Sequence, residues 1–224
     1  MKTHQTTIMA LLAVILSAGV MAADMPRKGA PVFTDGFDQP GTFAENWGKP
    51  HGRVKSEGGC LVANAIRNVT NVKPRREAPL EVIVEGSITI QDEGRRIGWT
   101  GFSLDGYLFL LTTDGRSWLN LNKKLKAKDN GKRVRIGGYK TGSSVKLTVT
   151  RRKRGSACVY SFYANGMPAG TFTGPIPEKP GMPAFATYDL KATLDDIGVY
   201  ALADENESAA PVSDANAKAD ERKK

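Results

Sequence analysis

The sequence predicts an all-β protein, a sandwich or barrel of about ten to twelve strands. Three observations predict it. Apolar and polar residues alternate with a period of two in segment after segment. No stretch of ten or more residues carries a helical stripe, in a chain with 24 Gly and 12 Pro. The alternating runs are separated by Asp105-Gly106, Asp114-Gly115, Asn130-Gly131 and Asn165-Gly166, dipeptides that accept the positive φ of hairpin turns.

In chain order, residues 1–23 read as a secretory signal peptide: Lys2 precedes the apolar run IMALLAVILSAGVMA, with small residues before Ala23. That run is shorter than the roughly 20 apolar residues that span a bilayer, and no later segment approaches that length. The expectation is an exported chain, secreted or periplasmic, with no transmembrane segment. Strand signals then follow at 60–66 (CLVANAI), 80–90 (LEVIVEGSITI), 96–104, 107–111, 118–122 and 133–139. They continue at 145–150 (VKLTVT), 158–164 (CVYSFYA), 169–174, 183–188 and 192–202 (ATLDDIGVYAL). Residues 203–224 hold no aromatic residue and a single Val, too little apolar surface to offset the entropy of ordering them, and read as a disordered charged tail. Residues 24–202 remain as one domain with a core of ordinary size.

Removing Lys2 and the tail's four bases and six acids from 32 Lys and Arg and 23 Asp and Glu leaves 27 against 17, a balance of +10. In an exported chain such charge favours anionic polysaccharides, lipid head groups or a cell envelope over nucleic acid. Solubility alone also accounts for it.

The basic run Arg151 to Arg154 lies between two alternating segments. With a turn at Arg154-Gly155, Val149 faces Tyr160, Leu147 faces Phe162 and Val145 faces Ala164 on one apolar side. Arg151 and Arg152 are then part of an exposed hairpin tip, either merely solvated or available to an acidic surface. The hairpin GYLFLLTTDGRSWLNLNKK, turned at Asp114-Gly115, pairs Leu108 with Leu121 and Leu110 with Leu119 as a core face. Its other face collects Tyr107, Phe109 and Trp118 with Asn120 and Asn122, and Lys123 and Lys124 follow. Aromatic rings flanked by amides suit a sugar, which presents a CH-rich face and paired hydroxyls; the alternative is that a loop covers this face as packing.

Cys60 and Cys158 are the two cysteines, and export permits a disulfide between them. With His51 as the one histidine outside the signal segment, they make no zinc constellation, and His51 has no recognisable nucleophile beside it.

The opening FTDGFDQP with FAENWG, the GGCLVANA strand, the GWTGFSLDGYLFLL hairpin, YANGMPAGTF and the closing ATLDDIGVYAL together resemble the concanavalin A-like lectin and glucanase superfamily, in particular its laminin G-like members. The resemblance spans about Phe33 to Leu202. It implies a jelly roll of two antiparallel sheets with ligands on the concave face or its rim. It also implies a structural calcium, for which Asp196 is the most similar ligand position, with backbone oxygens near Asp35 to Asp38; alternatively Asp195 and Asp196 only end a turn. Glycosidases of this superfamily carry Glu-x-Asp-x-x-Glu on one strand, and the motif is absent here. A retaining pair assembled from different strands would still need two carboxyl groups about 5 to 5.5 Å apart.

The sequence therefore favours an exported, non-catalytic module that binds a glycan or anionic polysaccharide. The alternatives are a glycan-cleaving enzyme of the same fold and a structural or adhesive domain whose partner is a cell-envelope protein.

Overall fold

The computed structural model describes residues 25–39, 41–93, 97–113, 116–120, 132–135 and 141–203. The expected signal segment and all but the first residue of the expected tail lie outside these. The described chain runs β1 (Lys28–Asp35), a short helix α1 (Thr42–Asn46), β2 (Arg53–Glu57), β3 (Cys60–Asn64), β4 (Val69–Val72), β5 (Val82–Glu93), β6 (Trp99–Leu104) and β7 (Tyr107–Thr112). It continues through β8 (Arg116–Asn120), β9 (Lys132–Arg135), β10 (Ser144–Arg154), β11 (Ala157–Ala164), β12 (Met167–Pro175), β13 (Ala184–Tyr188) and β14 (Leu190–Leu202).

These strands form two antiparallel sheets, as expected of a jelly-roll sandwich. The eight-stranded sheet is ordered β12-β11-β10-β5-β14-β3-β2, and β14 also carries β1; the six-stranded sheet is ordered β4-β13-β6-β7-β8-β9. One edge of β14 is taken by β5. The other is shared by β3 along Lys191–Leu194 and by β1 along Ile197–Leu202. A bulge lets this long strand serve both: Asp196 takes φ 49° between Asp195 and Gly198, so Leu194 and Ile197 both reach the core. Among the described residues no helix is long and apolar enough to cross a membrane.

The core between the sheets is built by inward rows. Val84, Val149, Leu147, Tyr160 and Phe162 come from one sheet, and Phe102, Leu104, Phe109, Leu111 and Phe185 from the other, each buried. Full burial of a large apolar side chain contributes about 1.5–3 kcal/mol. At one end Trp47 stacks on Phe37 and meets Phe33 edge-on, while its indole N–H donates to Asp35 at 2.8 Å.

Both hairpins differ from their expected registers. In β10–β11, Leu147 pairs Ala164, Val149 pairs Phe162 and Arg154 pairs Ala157, a displacement of two positions with the turn at Gly155-Ser156. Strand faces repeat every two residues, so the apolar row is the expected one. Arg151 now stands opposite Tyr160 inside that row and is fully buried, which corrects its placement at an exposed tip. Arg152, half-buried, pairs Val159 within the strand. In β7–β8, Leu108 pairs Asn120, Phe109 pairs Leu119 and Leu110 pairs Trp118. The connection from Thr112 to Arg116 has three residues instead of two. That single position inverts the faces: Tyr107 (7% exposed) and Phe109 (0%) belong to the core and not to an open face.

The expected disulfide is also corrected. Cys60 and Cys158 are free thiols. They stand on β3 and β11, four strand spacings apart in one sheet. That is roughly 19 Å at 4.8 Å per strand, far beyond the 7 Å or so that a disulfide can bridge. Burial raises the pKa of both thiols.

Candidate functional site

The inward rows of the six-stranded sheet dictate its outward ones. Because Thr100, Phe102 and Leu104 are buried in the core, Trp99, Gly101 and Ser103 stand on the opposite face. Pairing then assembles two rows across the sheet. The first runs Val69, Tyr188, Trp99, Thr112 and, with the β7–β8 register continued, Arg116 and Arg135. The second runs Asn71, Ala186, Gly101, Leu110, Trp118 and Arg133. In the next row, Ala184, Ser103 and Leu108 lead to Asn120.

Trp99 and Tyr188 are direct cross-strand partners, stacked with ring centroids 5.7 Å apart and planes 27° from parallel. Both are half-buried. Beside them Ala186, Leu110 and Thr112 are buried although they lie on the outward rows. At Gly101 a Cβ would come 2.0 Å from the Phe109 carbonyl oxygen. Asn71 lies exposed at the β4 end, its backbone tied to that of His51 by N–H to carbonyl bonds of 2.8 and 3.0 Å. Rings with peripheral amide and hydroxyl groups are what a sugar-binding surface needs. Among the described residues the rows contain no Asp or Glu.

Of the residues the sequence nominated, Trp118 and Asn120 fall in these outward rows, and Tyr107 and Phe109 do not. Asn122, Lys123 and Lys124 lie outside the described residues. Trp99 and Tyr188 were not singled out, although WTGFSL carried the signal: the apolar pair Phe102 and Leu104 fixes the inward parity and leaves Trp99 facing outward.

Arg151 serves a different purpose. Its guanidinium pairs with Asp105 and donates through Nε to the Leu80 carbonyl and through Nη2 to the Pro79 carbonyl, each at 2.7 Å. Asp105, at φ 52° in the β6–β7 turn, also accepts from Tyr160 Oη at 2.9 Å and from the Gly181 N–H at 3.0 Å. One buried ion pair thus fastens three loops at one end of the sandwich. Burial, then the Asp105 charge, pushes the Tyr160 hydroxyl pKa well above its usual range.

Asp196, the expected calcium ligand, is exposed at the β14 bulge, and its N–H donates to Asp195 Oδ1 at 2.8 Å. Burial, then the charges of Asp196 and Asp38, raises the Asp195 pKa against the opposing effect of that bond. The Asp35 carboxylate is occupied by the Phe37 N–H and the Trp47 indole. Among the described residues no three His, Cys, Asp or Glu side chains meet as a metal site. Calcium takes six to eight oxygens, so these carboxylates alone do not fit it.

The sandwich is a concanavalin A-like fold. It superposes on an endo-1,3-beta-glucanase from Streptomyces sioyaensis with TM-score 0.61 at 13% identity, covering 81% of this chain and 100% of that one. The Emp47p carbohydrate recognition domain follows with TM-score 0.59 at 11% identity, over 79% and 98%. A Bacillus subtilis protein with a galectin-like fold gives TM-score 0.54 at 12% identity, over 79% and 98%. No protein-family model and no curated protein matches the chain.

Proposed function

We propose that this protein is an exported glycan-binding module that holds a polysaccharide on the outward face of its six-stranded sheet without cleaving it. The observation that carries this reading is the Trp99–Tyr188 pair, two half-buried rings stacked across neighbouring strands. Two rings side by side form an apolar platform for the CH face of a sugar, and Asn71 and Ser103 supply amide and hydroxyl groups around it. The similarity to a carbohydrate recognition domain supports the same reading.

The glucanase similarity raises cleavage as the competing outcome. Hydrolysis with retention needs two carboxyl groups about 5 to 5.5 Å apart. The outward rows hold none among the described residues, which favours binding without turnover. Export rests on residues 1–23 as read from the sequence.

Trp99→Ala and Tyr188→Ala are expected to abolish measurable polysaccharide retention in affinity electrophoresis while leaving the folded far-ultraviolet spectrum intact. Retention equal to that of the unaltered protein removes the face from the reading. Steady release of reducing ends converts the module into an enzyme. A calcium role at Asp196, with backbone oxygens near Asp35 to Asp38, is tested separately: a calcium-dependent rise in Tm supports it, and equal Tm in calcium and in chelator removes it.

A further inference from the structure

We propose that the edge of the sandwich where β2 and β4 lie close together docks on an anionic lipid surface, a partner additional to the glycan. Segment 47–53 closes this edge by crossing from one sheet to the other. Its first part runs beside β4: the Gly48 N–H donates to the Lys73 carbonyl at 2.8 Å, and His51 and Asn71 bridge through their backbones. It turns at Gly52 (φ 84°), where a Cβ would come 2.6 Å from Thr70 Cγ2, and Arg53 then opens β2 in the other sheet, paired with Asn64. Burial of Val72 and Pro74 turns Lys73 and Arg75 outward, while Lys49, His51 and Arg53 are exposed along the crossing segment.

Stretches 41–53 and 67–77 hold Lys49, Arg53, Arg67, Lys73, Arg75 and Arg76 against two acids, Glu45 and Glu77. All six bases are exposed. Among the described residues none of them forms an ion pair; the pairs that do form engage Lys28, Lys55, Lys146 and Arg151. Like charges gathered from neighbouring strands repel one another until an anionic partner answers them. The kind of partner follows from what accompanies the charge. Among the described residues no Phe, Tyr or Trp ring is open on this edge for a sugar to stack on, since Trp47 and Phe43 pack in the core cluster. An aliphatic side chain is open instead: Ile66, 38% exposed, precedes Arg67 on the β3–β4 loop, which the Arg67 N–H fixes by donating to Asp189 Oδ1 at 2.8 Å. The Asn64–Arg53 pairing sets this loop beside the basic strip. Bases around an exposed aliphatic tip match a bilayer boundary, where acyl chains lie beneath anionic head groups, whereas an acidic polysaccharide offers Ile66 nothing.

The test is co-sedimentation with vesicles of phosphatidylglycerol and of phosphatidylcholine, using the exported protein freed of residues 1–23, whose apolar run would bind lipid by itself. One variant carries Lys49→Gln, Arg53→Gln and Lys73→Gln. A second removes the same charge from other elements with Arg27→Gln, Lys153→Gln and Lys179→Gln. All six positions are exposed, so both variants are expected to keep the unaltered Tm. The expected result is binding to phosphatidylglycerol and not to phosphatidylcholine, weakened about fivefold for each edge charge removed, weakened by salt, and changed little in the second variant. Ile66→Ser lowers vesicle binding as well, an effect that charge alone does not produce. An equal fall in both triple variants overturns the proposal in favour of unspecific charge, and absence of binding to phosphatidylglycerol ends it. Polygalacturonate binding that falls in the edge variant, with vesicle binding unmoved by Ile66→Ser, overturns it in favour of an acidic polysaccharide. Retention of the edge variant by neutral laminarin at the unaltered level supports a separate surface; a fall there overturns the proposal by making the strip part of the glycan site.

Discussion

The outward faces of the two sheets differ in how their polar residues are satisfied. On the eight-stranded sheet Glu85, 6% exposed, is paired with Lys28 and with Lys146 Nζ at 3.4 Å, and Lys28 also lies 4.7 Å over the Tyr200 ring. Thr148 and Thr150 are buried beside them on β10. That face closes on itself. On the six-stranded sheet the outward rows set Trp99 and Tyr188 together, two half-buried rings stacked on each other. A surface whose charges already answer one another stabilises the fold, whereas a pair of half-buried rings is suited to an external partner.

The comparison breaks if structural and binding losses do not separate. Asp105→Asn, at the end of the sandwich and on neither face, sets the structural scale: it leaves the buried Arg151 guanidinium without its counter-charge, at a cost of about 3–5 kcal/mol in urea unfolding. Glu85→Ala comes next, with an expected loss of about 1–3 kcal/mol, lowered because both lysines are near water, and with polysaccharide retention unchanged. Trp99→Ala reverses that pattern: it forfeits about 1 kcal/mol of ring stacking but the whole of the binding. A Glu85 variant that loses binding, or a Trp99 variant that keeps it, would exchange the roles assigned to the two faces.

The smallest effect is expected at Asp195. Its folded pKa is raised, so the folded state holds the proton more tightly than the unfolded chain does. This contribution to stability is full below the unfolded carboxylate pKa of about 4 and is lost as pH rises through the folded value. Asp195→Asn in calcium-free buffer should therefore raise Tm slightly at neutral pH, and the difference should vanish in acid.

How much of this was legible in the sequence depended on the parity of short connections. Each of the eleven alternating segments holds a strand among its described residues, and the three strands that went unread have plain reasons. β1 carries Gly29 and Pro31 and is irregularly paired, β2 is the charged five-residue edge RVKSE, and β4 is four residues long. The β10–β11 hairpin tolerated a displacement of two because its faces repeat at that interval. The β7–β8 hairpin did not tolerate one, and with it Tyr107 and Phe109 exchanged sides with Leu108 and Leu110. Burial of Arg151 was likewise unreadable, since its partners Asp105, Pro79 and Leu80 are far away in sequence and a run of four bases reads locally as solvated. The aromatic pair was readable in principle from Phe102 and Leu104; its partner Tyr188 required the β13–β6 pairing.

The pairing of Lys28 with Leu202 sets the two ends of the described domain side by side on the eight-stranded sheet. Paired Cα atoms lie about 5 Å apart, so a short linker could join them and new ends be opened at the exposed Gly155-Ser156 turn, yielding a circular permutant. The same adjacency has a mounting consequence. A tether at either end grips the protein by the sheet opposite the Trp99 and Tyr188 platform, so a molecule fixed to a support or a fusion partner presents that platform outward.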